Sequence, residues 1–283
     1  MSNIVLSADS VCDLSKELIA RHSISVMPLL VGLGETYYQD GVDITPTDIY
    51  AYVAENKVLP KTAARGVADY IDYFTKLSEA GKSVIHFAIS SDMSSSYQNA
   101  CIAAGEVGEN IHVIDSRNLS TGIGLLILDA AEMIAQGKEA CDILSEIERR
   151  IPLVRSSFVV DTLDYLRMGG RCSSVAALGA NMLKLHPCIE VKDGKMSVGT
   201  KYRGPMPKVI LQYANEILTK TQGIRTDKVF ITHANCDEAV VESVKAKVEE
   251  SGIFENIYIT SAGATINSHC GQGTLGVLFE VEA

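Results

Sequence analysis

Apolar residues along this chain come in short strand-like blocks separated by stretches with helical spacing, and the order of the two sets the fold class. Strands are expected at residues 4–6, 24–31, 83–89 and 111–114. Helices are expected at 14–22, 46–54 and 68–80, from about residue 95, and from 119 onward. Such alternation argues for a mainly parallel sheet flanked by helices. Thr45-Pro46-Thr47-Asp48 marks one helix start, with a capping hydroxyl, a proline at the first helical position and an acid at the third.

Beyond residue 150 the texture changes. Strands at 157–160, 188–191 and 195–201 surround a short helix at 163–168, and Asp193-Gly194 between two of them is a hairpin signal. Helices at 206–219 and 237–250 alternate with strands at 229–232 and 257–260 before a closing strand at 275–281. The expected architecture is α/β with two lobes: an N-terminal α/β lobe over 1–150 and a C-terminal α+β lobe over 151–283. That division also suits a 283-residue chain, because single cores tend to split above about 250 residues.

Composition narrows the function classes. With 35 acidic against 25 basic side chains and a net charge of −10, the chain would repel a phosphate backbone, so nucleic acid is not an expected partner. The most apolar stretch, residues 123–134, is broken by Asp129 and Glu132, and no membrane span is expected. The opening Met1-Ser2-Asn3 lacks the basic flank of a signal peptide, so a cytoplasmic location is expected. Seven cysteines without a Cys-x-x-Cys pair fit buried thiols in a reducing compartment.

Four segments carry candidate chemistry. The first is Ile85-His86-Phe87-Ala88-Ile89-Ser90-Ser91-Asp92-Met93-Ser94-Ser95-Ser96-Tyr97, an apolar strand running into a hydroxyl-rich turn and a helix. In an open α/β sheet that turn lies at the carboxyl edge, where free helix N–H groups and hydroxyls can hold a carboxylate or phosphate. Ser94 either caps its helix or faces a ligand. The second is Gly169-Gly170-Arg171, a chain turn that presents an arginine, with Arg203 beside Gly204-Pro205 as a parallel case. The third, Asn267 to Gly273, reads as a polar loop whose His269 could donate to an oxyanion. The fourth is Asp9-Ser10 and Asp115-Ser116, each after a strand, placed to line one crevice or to make local turns.

Other chemistries lack their signatures. His233 and Cys236, His269 and Cys270, and His186 and Cys188 do not repeat the paired spacing of structural zinc sites. Neither a nucleophile elbow, a Walker loop nor a dinucleotide fingerprint is present. No metal, cofactor or catalytic residue is therefore expected.

Taken in order, Asp9-Ser10, Pro60-Lys61-Thr62, the serine turn, Asp115-Ser116, Leu163 to Arg171, Leu185-His186-Pro187, Asp193-Gly194-Lys195, Arg203 and His269-Cys270-Gly271-Gln272-Gly273 resemble the DegV family over nearly the full length. That family comprises fatty-acid-binding proteins, among them the acyl-binding subunit of bacterial fatty acid kinase. The resemblance implies a long-chain fatty acid between the lobes, its tail in an apolar tunnel and its carboxylate held by hydroxyls at Thr62 and Ser94. It further implies Ser91, Ser95, Asp9, Ser10, His269, Arg171 and Arg203 nearby, and a kinase subunit as the partner that phosphorylates the carboxylate. Two departures touch the head group: Thr62-Ala63-Ala64-Arg65 replaces a Thr-Ser-Gln-Pro pattern, and Ser95 stands where the family has glycine. The alternative is a stand-alone enzyme acting on a small phosphorylated or carboxylated metabolite, with Ser94 or His269 as catalyst.

Overall fold

The computed structural model describes residues 3–176 and 185–282. Met1 and Ser2, where no leader pattern was read, lie outside them. The first half contains β1 (Ile4–Asp9), α1 (Lys16–Arg21), β2 (Ser25–Met27), β3 (Leu30–Leu33), β4 (Thr36–Gln39), α2 (Pro46–Asn56), β5 (Lys61–Ala63) and α3 (Val67–Leu77). It continues through β6 (Ser83–Ala88), α4 (Ser96–Val107), β7 (Ile111–Asp115), α5 (Thr121–Ala135) and α6 (Ala140–Arg150). The second half follows with β8 (Val154–Val159), α7 (Asp164–Gly169), α8 (Ser173–Ala176), β9 (Leu185–Lys192), β10 (Lys195–Arg203) and α9 (Met206–Lys220). It closes with β11 (Ile224–Ala234), α10 (Glu238–Ser251), β12 (Asn256–Ser261), α11 (Ala264–Cys270) and β13 (Thr274–Val281).

Three sheets result. The first, β2-β1-β6-β7, is parallel throughout, as unbroken apolar runs buried on both faces require. The second, β10-β9-β8-β13-β11-β12, is antiparallel except for β11 against β12, with β13 buried along its whole length. The third is small and antiparallel, β4-β3-β5. The mainly parallel N-terminal sheet and the α+β second half are the expected fold class. The Asp193-Gly194 hairpin is present, with φ of 50° and 80°, as a tight two-residue turn demands.

The strand expected over 24–31 is two strands in two sheets. Pro28 has no N–H to donate to a ladder, so β2 ends before it and β3 begins beyond it in the small sheet. The expected polar loop over 267–273 is also corrected: residues 264–270 form the helix α11, and only Gly271 (φ 75°) and Gly273 (φ 82°) make the turn. The reason is remote. The Asp40 carboxylate, at the end of β4, accepts from Ala264 N at 2.8 Å and Thr265 N at 3.3 Å, capping a helix 224 positions later.

Helix α5 sits between the two large sheets, its apolar residues buried on nearly every side. The largest core surrounds it, joining Ile85 and Phe87 of the first sheet to Phe158, Phe230 and Leu278 of the second. Helices α3 and α4 cover the outer face of the first sheet, and α9 and α10 that of the second. Among the described residues no helix is long and apolar enough to cross a membrane.

Candidate functional site

Where the small sheet, the serine turn and α11 meet, a pocket of about 60 Å³ is lined by the polar residues Thr62, Ser94, Arg171, Thr265 and His269 and by apolar residues such as Ile89, Leu119 and Ile266. Each polar residue arrives on a different element. Thr62 stands on β5, held in register by pairing with Val31. Ser94 lies just before α4, its hydroxyl accepting from Ser96 N at 3.2 Å and sharing a hydrogen bond with Ser96 Oγ at 3.0 Å. His269 comes from α11, and Arg171 from the turn after α7.

Thr62 Oγ1 and His269 Nε2 lie 2.8 Å apart. Burial, and then the neighbouring Arg171 charge, push the imidazole down to about 4, so it is neutral at pH 7. Its Nδ1 is buried without a partner against Gly169, where any side chain would collide with the ring. Arg171 donates from Nη1 to Gly169 O at 2.6 Å and is exposed to solvent.

The other expected site residues do not line this pocket. Asp9 is fully buried beneath the first sheet, accepting from Tyr70 OH at 2.6 Å and Ile89 N at 3.0 Å, with His86 Nε2 at 3.4 Å. Its oxygens are spent on the core. Ser10 accepts from Leu29 N at 3.1 Å and donates to Asp40 Oδ2 at 3.0 Å, so it steadies the carboxylate that caps α11. Ser91 donates to Asp115 Oδ2 at 2.5 Å, Ser95 is exposed at the start of α4, and Arg203 is exposed at the end of β10.

Ser90 donates to Gly194 O at 2.7 Å, clasping the hairpin tip to the serine turn. Arg117 joins that clasp through Asp92 at 2.6 Å and the Asp193 carbonyl. Most of the serine-rich turn is thus structural, and Ser94 is the one of its serines lining the pocket. Arg65, new relative to the family pattern, donates to Pro28 O at 2.6 Å.

Several lining residues escaped the sequence reading. Leu29, Met93 and Met196 reach the pocket from separate segments, and Thr265 and Ile266 from α11. Had 264–270 been read as a helix, the i, i+4 spacing of Thr265 and His269 would have placed both on one face. Beyond Leu119, Ile266 and Cys270, which belong to both, a second void of about 30 Å³ extends toward Phe158 and Leu278. The two voids adjoin along a seam whose walls include Phe158, Ile266 and Leu278 of the main core.

Two other sites carry less. A cleft of about 570 Å³ between the hairpin tip, the start of β8 and the end of α9 mixes Arg155 and Lys192 with Glu190 and Glu216 and contains none of the expected donors. Among the described residues, Asp129, Glu132 and Asp227 have metal-like spacing. Lys228 Nζ lies 2.7, 3.0 and 2.5 Å from these three acids, so an ammonium already fills that position.

The comparisons with known proteins agree with one another. The model of the DegV family of uncharacterised proteins matches residues 3–282. A DegV domain-containing protein of Caldanaerobacter subterraneus is 33% identical over 99% of both chains. One of Clostridium perfringens is 38% identical over 78% of this chain and 80% of its own. Among solved structures, a fatty-acid-binding DegV family protein from Thermus thermophilus superposes with a TM-score of 0.91 at 29% identity, covering 99% of each chain. A stearic-acid-binding protein from Eubacterium ventriosum does so at 0.86 and 30% identity, over 99% of this chain and 98% of that one.

Proposed function

Because this chain belongs to the DegV family, we propose that it binds a long-chain fatty acid with the carboxylate at Thr62 and Ser94 and the tail along the seam past Leu119 and Ile266. The observation that carries the reading is that Thr62, Ser94 and His269 line one pocket whose remaining wall is mostly apolar. Fatty acid binding by the Thermus and Eubacterium proteins, which share this fold, supports it.

The chemistry suits the ligand. A buried carboxylate is costly unless donors meet it. Neutral His269 donating from Nε2 to Thr62 leaves the threonine hydrogen free for a carboxylate oxygen, and Ser94 supplies a second hydroxyl. Roughly fifteen methylenes at about 0.8 kcal/mol each supply the apolar term. Ligand pockets commonly measure about 300–1,000 Å³, so a tail enters by spreading the seam. Met93 and Met196, unbranched and deformable, are lining residues able to give way to it.

A separate kinase subunit then uses the held ligand. A carboxylate oxygen attacks the γ-phosphorus of ATP, the bond to ADP breaks, and an acyl phosphate forms. Neutral donors favour this by leaving the carboxylate anionic. In this reading the chain is a cytoplasmic carrier rather than a catalyst, and an imidazole pushed down to about 4 with no carboxylate partner argues against the stand-alone enzyme.

Native mass spectrometry after expression with lipid available tests the proposal. Wild type is expected to retain a long-chain fatty acid, and Ser94→Ala and Thr62→Val to retain less. Protein that is wholly ligand-free under those conditions sinks it.

A further inference from the structure

Buried hydroxyls in this protein nearly all have partners. On α11, Ser268 donates to Ala264 O at 2.8 Å; just past that helix, Thr274 donates to Cys270 O at 2.9 Å. Among the described residues only two buried hydroxyls lack one, Ser156 and Thr265. Ser156 lies beside Gly122 and lines the larger cleft instead. Thr265 lines the pocket itself, 6% exposed, with Leu29, Ile89 and Leu119 as fellow lining residues. Valine has the same shape and would close this wall without a stranded polar atom.

Position gives the hydroxyl a meaning. Thr265 and His269 are four residues apart on one face of α11, about 6 Å along its axis. His269 marks the carboxylate end through Thr62, while Thr265 lies toward the buried start of the helix, where Asp40 caps it. A threonine on a helix has two accessible χ1 wells that exchange its methyl and hydroxyl, so Oγ1 can turn to a ligand without backbone movement. Resting on the fatty-acid reading above, we propose that Thr265 is a specificity-determining residue that hydrogen-bonds an oxygen near the carboxyl end of the acyl chain. The pocket then prefers acids with a hydroxyl within the first few carbons over plain ones.

The test compares palmitate with 3-hydroxypalmitate, titrated against delipidated wild type, Thr265→Val and Thr265→Ser. One neutral hydrogen bond corresponds to about two- to tenfold in affinity. Wild type should bind the hydroxy acid tighter by that factor. Thr265→Val should lose the preference, and Thr265→Ser should keep it. Equal affinity of wild type for both acids overturns the proposal, as does a preference that survives in Thr265→Val. Palmitate binding by wild type separates the two claims: with it intact, such a result removes only the role of Thr265, and without it the fatty-acid reading falls too.

Discussion

Gly169→Ala addresses the polar end of the pocket without touching a donor. Gly169 ends α7, and a Cβ built there would lie 2.3 Å from His269 Nδ1, 3.1 Å from Cε1 and 3.4 Å from Cγ. Ordinary contact begins at about 3.4 Å, so the ring must retreat by about 1 Å. Its Nε2 is tied to Thr62 at 2.8 Å, and that bond stretches or breaks. Overpacking of this kind costs about 1–3 kcal/mol of stability. Loss of the bond adds about 0.5–1.5 kcal/mol to the free energy of ligand binding, or about two- to tenfold in Kd.

Denaturant unfolding and fatty-acid titration measure the two effects. The decisive arm is the double-mutant cycle with His269→Ala, which removes the ring that the new methyl would strike. In that background Gly169→Ala should be close to neutral, or slightly stabilising because alanine is the better helix former. An equal cost in both backgrounds would refute the account, because the clash would then lie elsewhere.

Two further outcomes follow from the support of His269. Asp40→Ala removes the acceptor of Ala264 N, Thr265 N and Ser10 Oγ, and should lower stability by about 1–3 kcal/mol while weakening fatty-acid binding, read by thermal melts and titration. The imidazole of His269 is pushed from its ordinary 6.5 to about 4, so the unfolded chain takes up the proton first. Its stabilising contribution is present above pH 6.5 and is lost as pH falls toward 4. The stability gap between wild type and His269→Asn should therefore shrink by up to about 3 kcal/mol across that window, and a gap independent of pH would count against a buried neutral ring.

Local patterns settled much of this fold before any packing is considered. Unbroken apolar blocks alternating with helical spacing suffice for a parallel sheet, Asp193-Gly194 for its hairpin, and Thr45 with Asp48 for the start of α2, where Asp48 Oδ2 accepts from Thr45 N at 2.8 Å. Each depends on neighbours within a few residues, so residue type and spacing encode it. The ordered motifs likewise carried the resemblance to the family.

Packing decided the rest, because a hydrogen-bonding group commits to whichever partner the sheets bring to it. Asp9 ends one strand of the first sheet and Ser94 lies beyond another, yet Asp9 turns into the core toward Tyr70 while Ser94 lines the pocket. Residues 267–273 read as a loop because the cap of α11, Asp40, lies just past β4 and far away in sequence, and once that carboxylate docks, the helix forms and sets His269 against Thr62. Spacing along a chain specifies local geometry, whereas the meeting of residues some two hundred positions apart is specified only when their elements pack.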